Sequence, residues 1–78
     1  MNEIDKLRVL IPHWIEHNRE HASEFRSWAE RAGNASEDIL NAADAMAGVN
    51  ESLVTALKKM GGPLPNNHFQ GEVGDNNI

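Results

Sequence analysis

Residues 13 to 24 read His-Trp-Ile-Glu-His-Asn-Arg-Glu-His-Ala-Ser-Glu, the tetrad His-x-x-Glu three times without a gap. Imidazole and carboxylate are ligands for first-row divalent ions, so a run of them at regular spacing is a candidate metal site. Without metal, the same groups form hydrogen bonds within a bundle or to a partner helix. On a helix, residues four apart lie on one face with side chains ~6 Å apart, close enough for two imidazoles to share an ion. A four-residue step also drifts by roughly 40° on a helix of about 3.6 residues per turn, so the three histidines differ in environment. His13 is expected at a solvent-facing shoulder, His17 at a boundary and His21 inside the apolar stripe. His17 and His21 are therefore the expected ligand pair, with His13, Glu20 and Glu24 assisting. A closed four-ligand site needs a second chain, because Asp44 and Glu51 of the next helix point away from the seam.

The acid row Glu16, Glu20 and Glu24 repeats at i, i+4, where like charges repel by a few tenths of a kcal/mol per pair, on the order of 0.2–0.5. Glu20 and Glu24 have no Lys or Arg three or four residues further on, so the histidines three residues before them are the nearest compensation. The order of residues departs from the Glu-x-x-His pairs of di-iron bundles. It also lacks the His-Glu-x-x-His zinc-protease pattern. Nickel, cobalt and zinc all suit such ligands, and the pattern does not choose among them.

Helices must position these groups. Leu7, Leu10, Ile11, Trp14, Asn18, Ala22, Phe25, Trp28, Ala29 and Ala32 fall on one broad stripe at about 100° per residue, which predicts a long helix ending near Ala32. Gly33 supplies a left-handed stop, and Asn34-Ala-Ser-Glu37 has the form of a capping box for a second helix. That helix is predicted over about 35 to 60, from the three-and-four spacing of Ile39, Ala43, Met46, Asn50, Leu53, Leu57 and Met60, and Gly61-Gly62-Pro63 ends it. Pro12 lacks the amide donor of an interior residue and crowds the carbonyl of Arg8, which predicts a kink or break there. On that reading residues 3 to 11 form a separate short helix and Pro12 is the first residue of the long one.

A short connection makes the two helices antiparallel neighbours, with residues whose numbers sum to about 67 or 68 at one level. Trp28 is then expected near Ile39, Phe25 near Ala42 and Ala43, Trp14 near Leu53 and Val54, and Leu10 near Leu57. Asn18 faces Asn50 inside otherwise apolar stripes, a polar layer that fixes register and oligomer state or orients a histidine ring. Trp14 and Trp28, fourteen residues apart, return to nearly one face and are expected in core or interface packing. Met46 and Met60 are read as core.

Residues 12 to 29, Pro-His-Trp-Ile-Glu-His-Asn-Arg-Glu-His-Ala-Ser-Glu-Phe-Arg-Ser-Trp-Ala, resemble the string PHWxxHNxxHAxxFxxWA of small, uncharacterised prokaryotic helical proteins. The resemblance implies one helical domain, draws notice to His13, His17, Asn18 and His21, and carries no mechanism with it.

Composition bounds the rest. A chain of 78 residues with net charge −5 and no cysteine has no disulfides or thiolate clusters to stabilise it. Nine of its hydrophobic residues are alanine, and a core of this size rarely supplies more than roughly 3–5 kcal/mol, so self-association is expected, with a dimer favoured. The acidic balance disfavours nucleic acid, and no apolar run approaches the roughly 18 residues of a membrane span. Without a nucleophile elbow, a phosphate loop or much concavity in a two-helix layer, no enzyme is expected.

The expectation is thus an all-α protein, an antiparallel helical hairpin over 1–62 assembling into a bundle, with a mobile tail over 63–78 in which His68 is incidental. It is cytoplasmic by default and handles or senses a divalent metal; the competing reading is a metal-free interaction module in which the His, Glu and Asn groups specify the interface.

Overall fold

The computed structural model describes residues 2–65. The expected tail residues His68, Phe69 and Val73 lie outside them. Helix α1 spans Glu3–Ala29, a single 3-10 turn covers Gly33–Ala35, and helix α2 spans Ser36–Lys59. The helices lie antiparallel as a hairpin, in a body of 48 × 26 × 14 Å. The smallest dimension is the thickness of one helical layer.

The seam follows a strict alternation of four and three. On α1 it runs through Ile11, Ile15, Asn18, Ala22, Phe25 and Ala29, and on α2 through Ser36, Ile39, Ala43, Met46, Asn50, Leu53, Leu57 and Met60; each of these is buried or half-buried. This 3.5-residue period belongs to a two-stranded coiled coil, whose contact stripe is narrow. Ile11, Ile15 and Leu57 form the buried cluster at the open end, with Leu7, Trp14, Leu53, Val54 and Met60 packed on it. The seam is rotated relative to the stripe expected from sequence. Ile15 is buried, while Trp28, expected in packing, is 58% exposed. Val9, which the periodicity leaves off the seam, is buried too.

The ends of the helices are made differently from each other. Asn2 caps α1 by accepting the Asp5 amide at 2.7 Å. The helix stops at Ala29, three residues earlier than expected, and a chain of tight-turn bonds follows: Arg31 N–H to the Trp28 carbonyl, then Ala32 N–H to that of Ala29. Gly33 adopts φ 60°, the left-handed conformation that reverses the chain at little steric cost. The expected capping box does not form. Ala35 is the N-cap of α2 and no side chain caps it, because the 3-10 turn runs directly into the helix. The acids Glu37 and Asp38 in the first turn of α2 oppose the positive end of its dipole instead.

No break occurs at Pro12: α1 is continuous through it. The missing Pro12 amide would leave the Arg8 carbonyl without its intrahelical donor, and the Leu64 N–H, 3.3 Å away, donates to it. The Arg8 side chain completes a reciprocal latch. Its Nε donates to the Gly62 carbonyl at 2.7 Å and a terminal nitrogen to that of Gly61 at 3.1 Å. Gly61, at φ 107°, lies so close that a Cβ there would come within 3.3 Å of the guanidinium. Leu64 is thus held against the first half of α1.

The latch has a measurable consequence. Pro12→Ala restores the amide that the Arg8 carbonyl lacks and is expected to stabilise the helix by on the order of 1–3 kcal/mol in chemical denaturation. In the same variant Leu64 loses its acceptor, so its amide should exchange with solvent faster; unchanged protection at Leu64 would disprove the latch.

Candidate functional site

The polar layer expected at mid-hairpin is present. Asn18 Nδ2 donates to Asn50 Oδ1 at 2.9 Å, and Asn50 Nδ2 donates across the seam to the Ile15 carbonyl at 3.1 Å. Both asparagines are half-buried, and among the described residues no buried side-chain N or O atom lacks a partner. The bridging bonds join the helices at one level, and a slip of either helix by one residue would separate them. This layer is complete within one chain and does not reach His17 or His21.

The ladder lies beside the seam. His17 Nδ1 faces the Glu20 carboxylate at 3.7 Å and His21 Nδ1 faces that of Glu24 at 3.6 Å, while Glu16 is paired with Arg19 at 3.6 Å. The spacing therefore brings each of these acids beside a His or Arg, pair by pair. Because Nδ1 is turned to the acid, Nε2 stands at the other edge of each ring. His17 is 30% exposed and His21 49% exposed. His21 is thus less shielded than its place in the expected stripe implied. Phe25, one turn on, stacks on His21 with centroids 6.3 Å apart. His13 is half-buried a turn before His17. Among the described residues no group of three or more His, Asp or Glu side chains is gathered to hold a metal ion.

The two flanks of the hairpin differ in chemistry. One carries Arg19 and Arg26 against Asp44 and Glu51, with Arg26 paired to Asp44 at 3.4 Å, around a shallow groove that also includes Thr55. The other, by helical phase, carries Leu10, Trp14, His17, His21 and Trp28 from α1 and Ala42, Val49 and Ala56 from α2. At its turn end Glu24, Phe25, Trp28, Asp38, Ile39 and Ala42 line a second, mostly apolar groove. This places Trp28 with Ile39 and Phe25 with Ala42, as the register expects. Arg31 covers part of the Trp28 ring at 4.2 Å. Val49, which sequence reasoning did not single out, is 47% exposed on this flank. Its signal was available: a valine off the three-and-four series of α2.

Such a chain is a two-helix protein with a pinned register and one apolar flank. It belongs to the family described as Domain of unknown function (DUF8180), whose profile matches residues 7–60, spanning both helices. No curated protein and no solved structure matches the chain. Among the described residues, no helix is long and apolar enough to cross a membrane.

If the asparagine pair holds the register, truncation should be costly. Asn50→Ala removes both bridging bonds and is expected to lower stability by about 1–3 kcal/mol. In a double-mutant cycle with Asn18→Ala the coupling should be about 0.5 kcal/mol or more. Additive effects would show that the two amides act independently.

Proposed function

We propose that this protein is a homodimeric helical interaction module, an assembly element rather than a catalyst, that associates through the flank bearing Trp14, Trp28 and Val49. The observation carrying this reading is the unequal chemistry of the two flanks: one is laced with charge, the other exposes an indole and a valine beside half-buried Leu10 and Trp14. Leu40, exposed among the charges of the other flank, and Ile4, near the start of α1, stand singly, whereas Trp28 and Val49 lie on one flank with Leu10 and Trp14, and it is such gathered groups that mark association sites.

Size supports the same reading. The hairpin presents a face 48 by 26 Å, larger than the roughly 800 Å² per partner that a stable protein interface buries. The buried hydrophobic residues Val9, Ile11, Ile15, Ala22, Ala29, Ala43 and Leu57 include three alanines, a small core for two helices of this length. Stacking a second hairpin on the apolar flank gives a four-helix bundle and covers what one seam leaves open. A metal-handling role through a single chain has less support, because among the described residues no three His, Asp or Glu side chains are gathered to hold an ion.

Sedimentation equilibrium of tag-free protein in EDTA tests this. A dimer is expected, and Val49→Glu, which puts a charge in the flank without touching the seam, is expected to weaken it by at least tenfold, about 1.4 kcal/mol, with helicity retained. A wild-type chain that remains monomeric at ~1 mM would refute the reading.

A further inference from the structure

We infer that two copies of this chain, meeting through the apolar flank, bring His17 and His21 of each together as a four-imidazole site for a divalent transition metal such as zinc, nickel or cobalt. The inference rests on the self-association proposed above, and deepens it by assigning a ligand to the interface.

The argument begins with position along the hairpin. Helix α1 spans Glu3–Ala29, so its middle is at about residue 16, and the middle of α2, Ser36–Lys59, is at about residue 48. Asn18 bonds Asn50, so the number sum at one level is 68, and the middle of α2 stands level with about residue 20 of α1. His17 and His21 therefore bracket the mid-height of the whole hairpin. Two identical faces overlap most when the two-fold axis crosses them at mid-height, and a group near such an axis meets its own copy. The histidine pair is the chemistry-bearing group of this flank closest to that level.

Two-fold arrangements of the flank differ in what they put opposite the imidazoles. With the axis across the hairpin, α1 packs on α1 of the second copy, so imidazoles meet imidazoles and Val49 meets Val49. With the axis along the hairpin, α1 packs on α2, and the rings are pressed against Val49 and Leu53 of the second copy, where each Nε2, on the ring edge away from its carboxylate, meets no polar group. Polar groups buried without partners are unfavourable, so the first arrangement is preferred.

The rings are already oriented for ligation. Each turns Nδ1 toward a carboxylate, 3.7 Å for His17 and Glu20 and 3.6 Å for His21 and Glu24. At these distances the contacts are ion-pair approaches and not hydrogen bonds; a small closing movement of each carboxylate would let it accept the Nδ1–H and leave the lone pair on Nε2, the outer-shell arrangement found behind metal-bound histidines. One chain thus supplies half of a tetrahedral set, and the second copy supplies the rest. Glu20 and Glu24 act as outer-shell partners, and the ion offsets the repulsion within their row.

Titration of tag-free protein with zinc chloride, read by calorimetry and by sedimentation, tests the site. Saturation at one zinc per two chains is expected, together with a tighter dimer than in EDTA. His17→Gln combined with His21→Gln keeps polar side chains of similar size, and should abolish zinc uptake and the zinc-dependent tightening of the dimer while leaving helicity intact. Uptake of one zinc per chain, retention of binding by the double variant, or no saturable binding up to ~1 mM zinc would each overturn the site. A dimer in EDTA that takes up no zinc overturns only the metal site, whereas a chain that is monomeric with and without zinc overturns the association as well.

Discussion

A pair of helices has one seam, and most of this structure is a response to that limit. The apolar arc of α1 extends from Leu10 and Trp28 round to Ile15, wider than the stripe a single neighbouring helix can cover. The four-and-three alternation selects Ile11, Ile15, Ala22 and Ala29 for the seam, and all four are buried. What the seam does not take is left mainly on one flank, since Arg19, Arg26, Asp44 and Glu51 occupy the other, although Glu24, Asp38 and Arg31 lie at the turn end of the apolar one. The thin body and the exposed Trp28 follow from the same geometry.

Within that limit the seam is specified by polar contacts as much as by packing. Alanines contribute small knobs that permit close approach and little register preference, because neighbouring alanine levels resemble one another. The Asn18–Asn50 bond and the Asn50 bond to the Ile15 carbonyl remove that degeneracy. At the open end Arg8 does the same for the chain after α2. Its side chain holds the carbonyls of Gly61 and Gly62, and its own carbonyl, bereft of a donor by Pro12, holds Leu64. A residue that ordinarily interrupts a helix creates here an acceptor that the returning chain uses. Pro63 and Pro65 flank Leu64 and disfavour helix there, which keeps its amide available.

The hairpin was legible in the sequence because its signals are local and periodic: the series on α2, the glycine at 33, and the number sum that put Asn18 opposite Asn50. The rotation of the seam on α1 was not, because a broad apolar stripe does not say which of its edges a partner will choose; Trp28 was counted inward for its chemistry, and Ile15 was passed over. The course of α1 through Pro12 depends on Leu64, a contact 56 residues away that no local rule contains. The capping-box pattern at 34 to 37 misled for the opposite reason: the 3-10 turn carries the backbone into α2 without a side-chain cap. For the ladder, the His17–Glu20 and His21–Glu24 pairings could be read from spacing, while the exposure of His21 follows from the rotation of the seam, which leaves residue 21 on the flank and not in the contact stripe.

The ladder and the seam run at different pitches, and this explains where the ladder stops. Steps of four residues drift by roughly 40° on a straight helix, while steps alternating four and three hold their direction, so the histidine row cannot stay parallel to the seam. Continued by four residues, the row His13, His17 and His21 arrives at Phe25, which lies in the seam and stacks on the last imidazole. The glutamate row 16, 20 and 24 continued in the same way arrives at Trp28, on the apolar flank. Each row keeps its ionisable type while it crosses the surface and changes to an aromatic ring where it meets apolar ground. The histidine rungs thus lie in the middle of the hairpin, with Leu10 before them and Phe25 and Trp28 after.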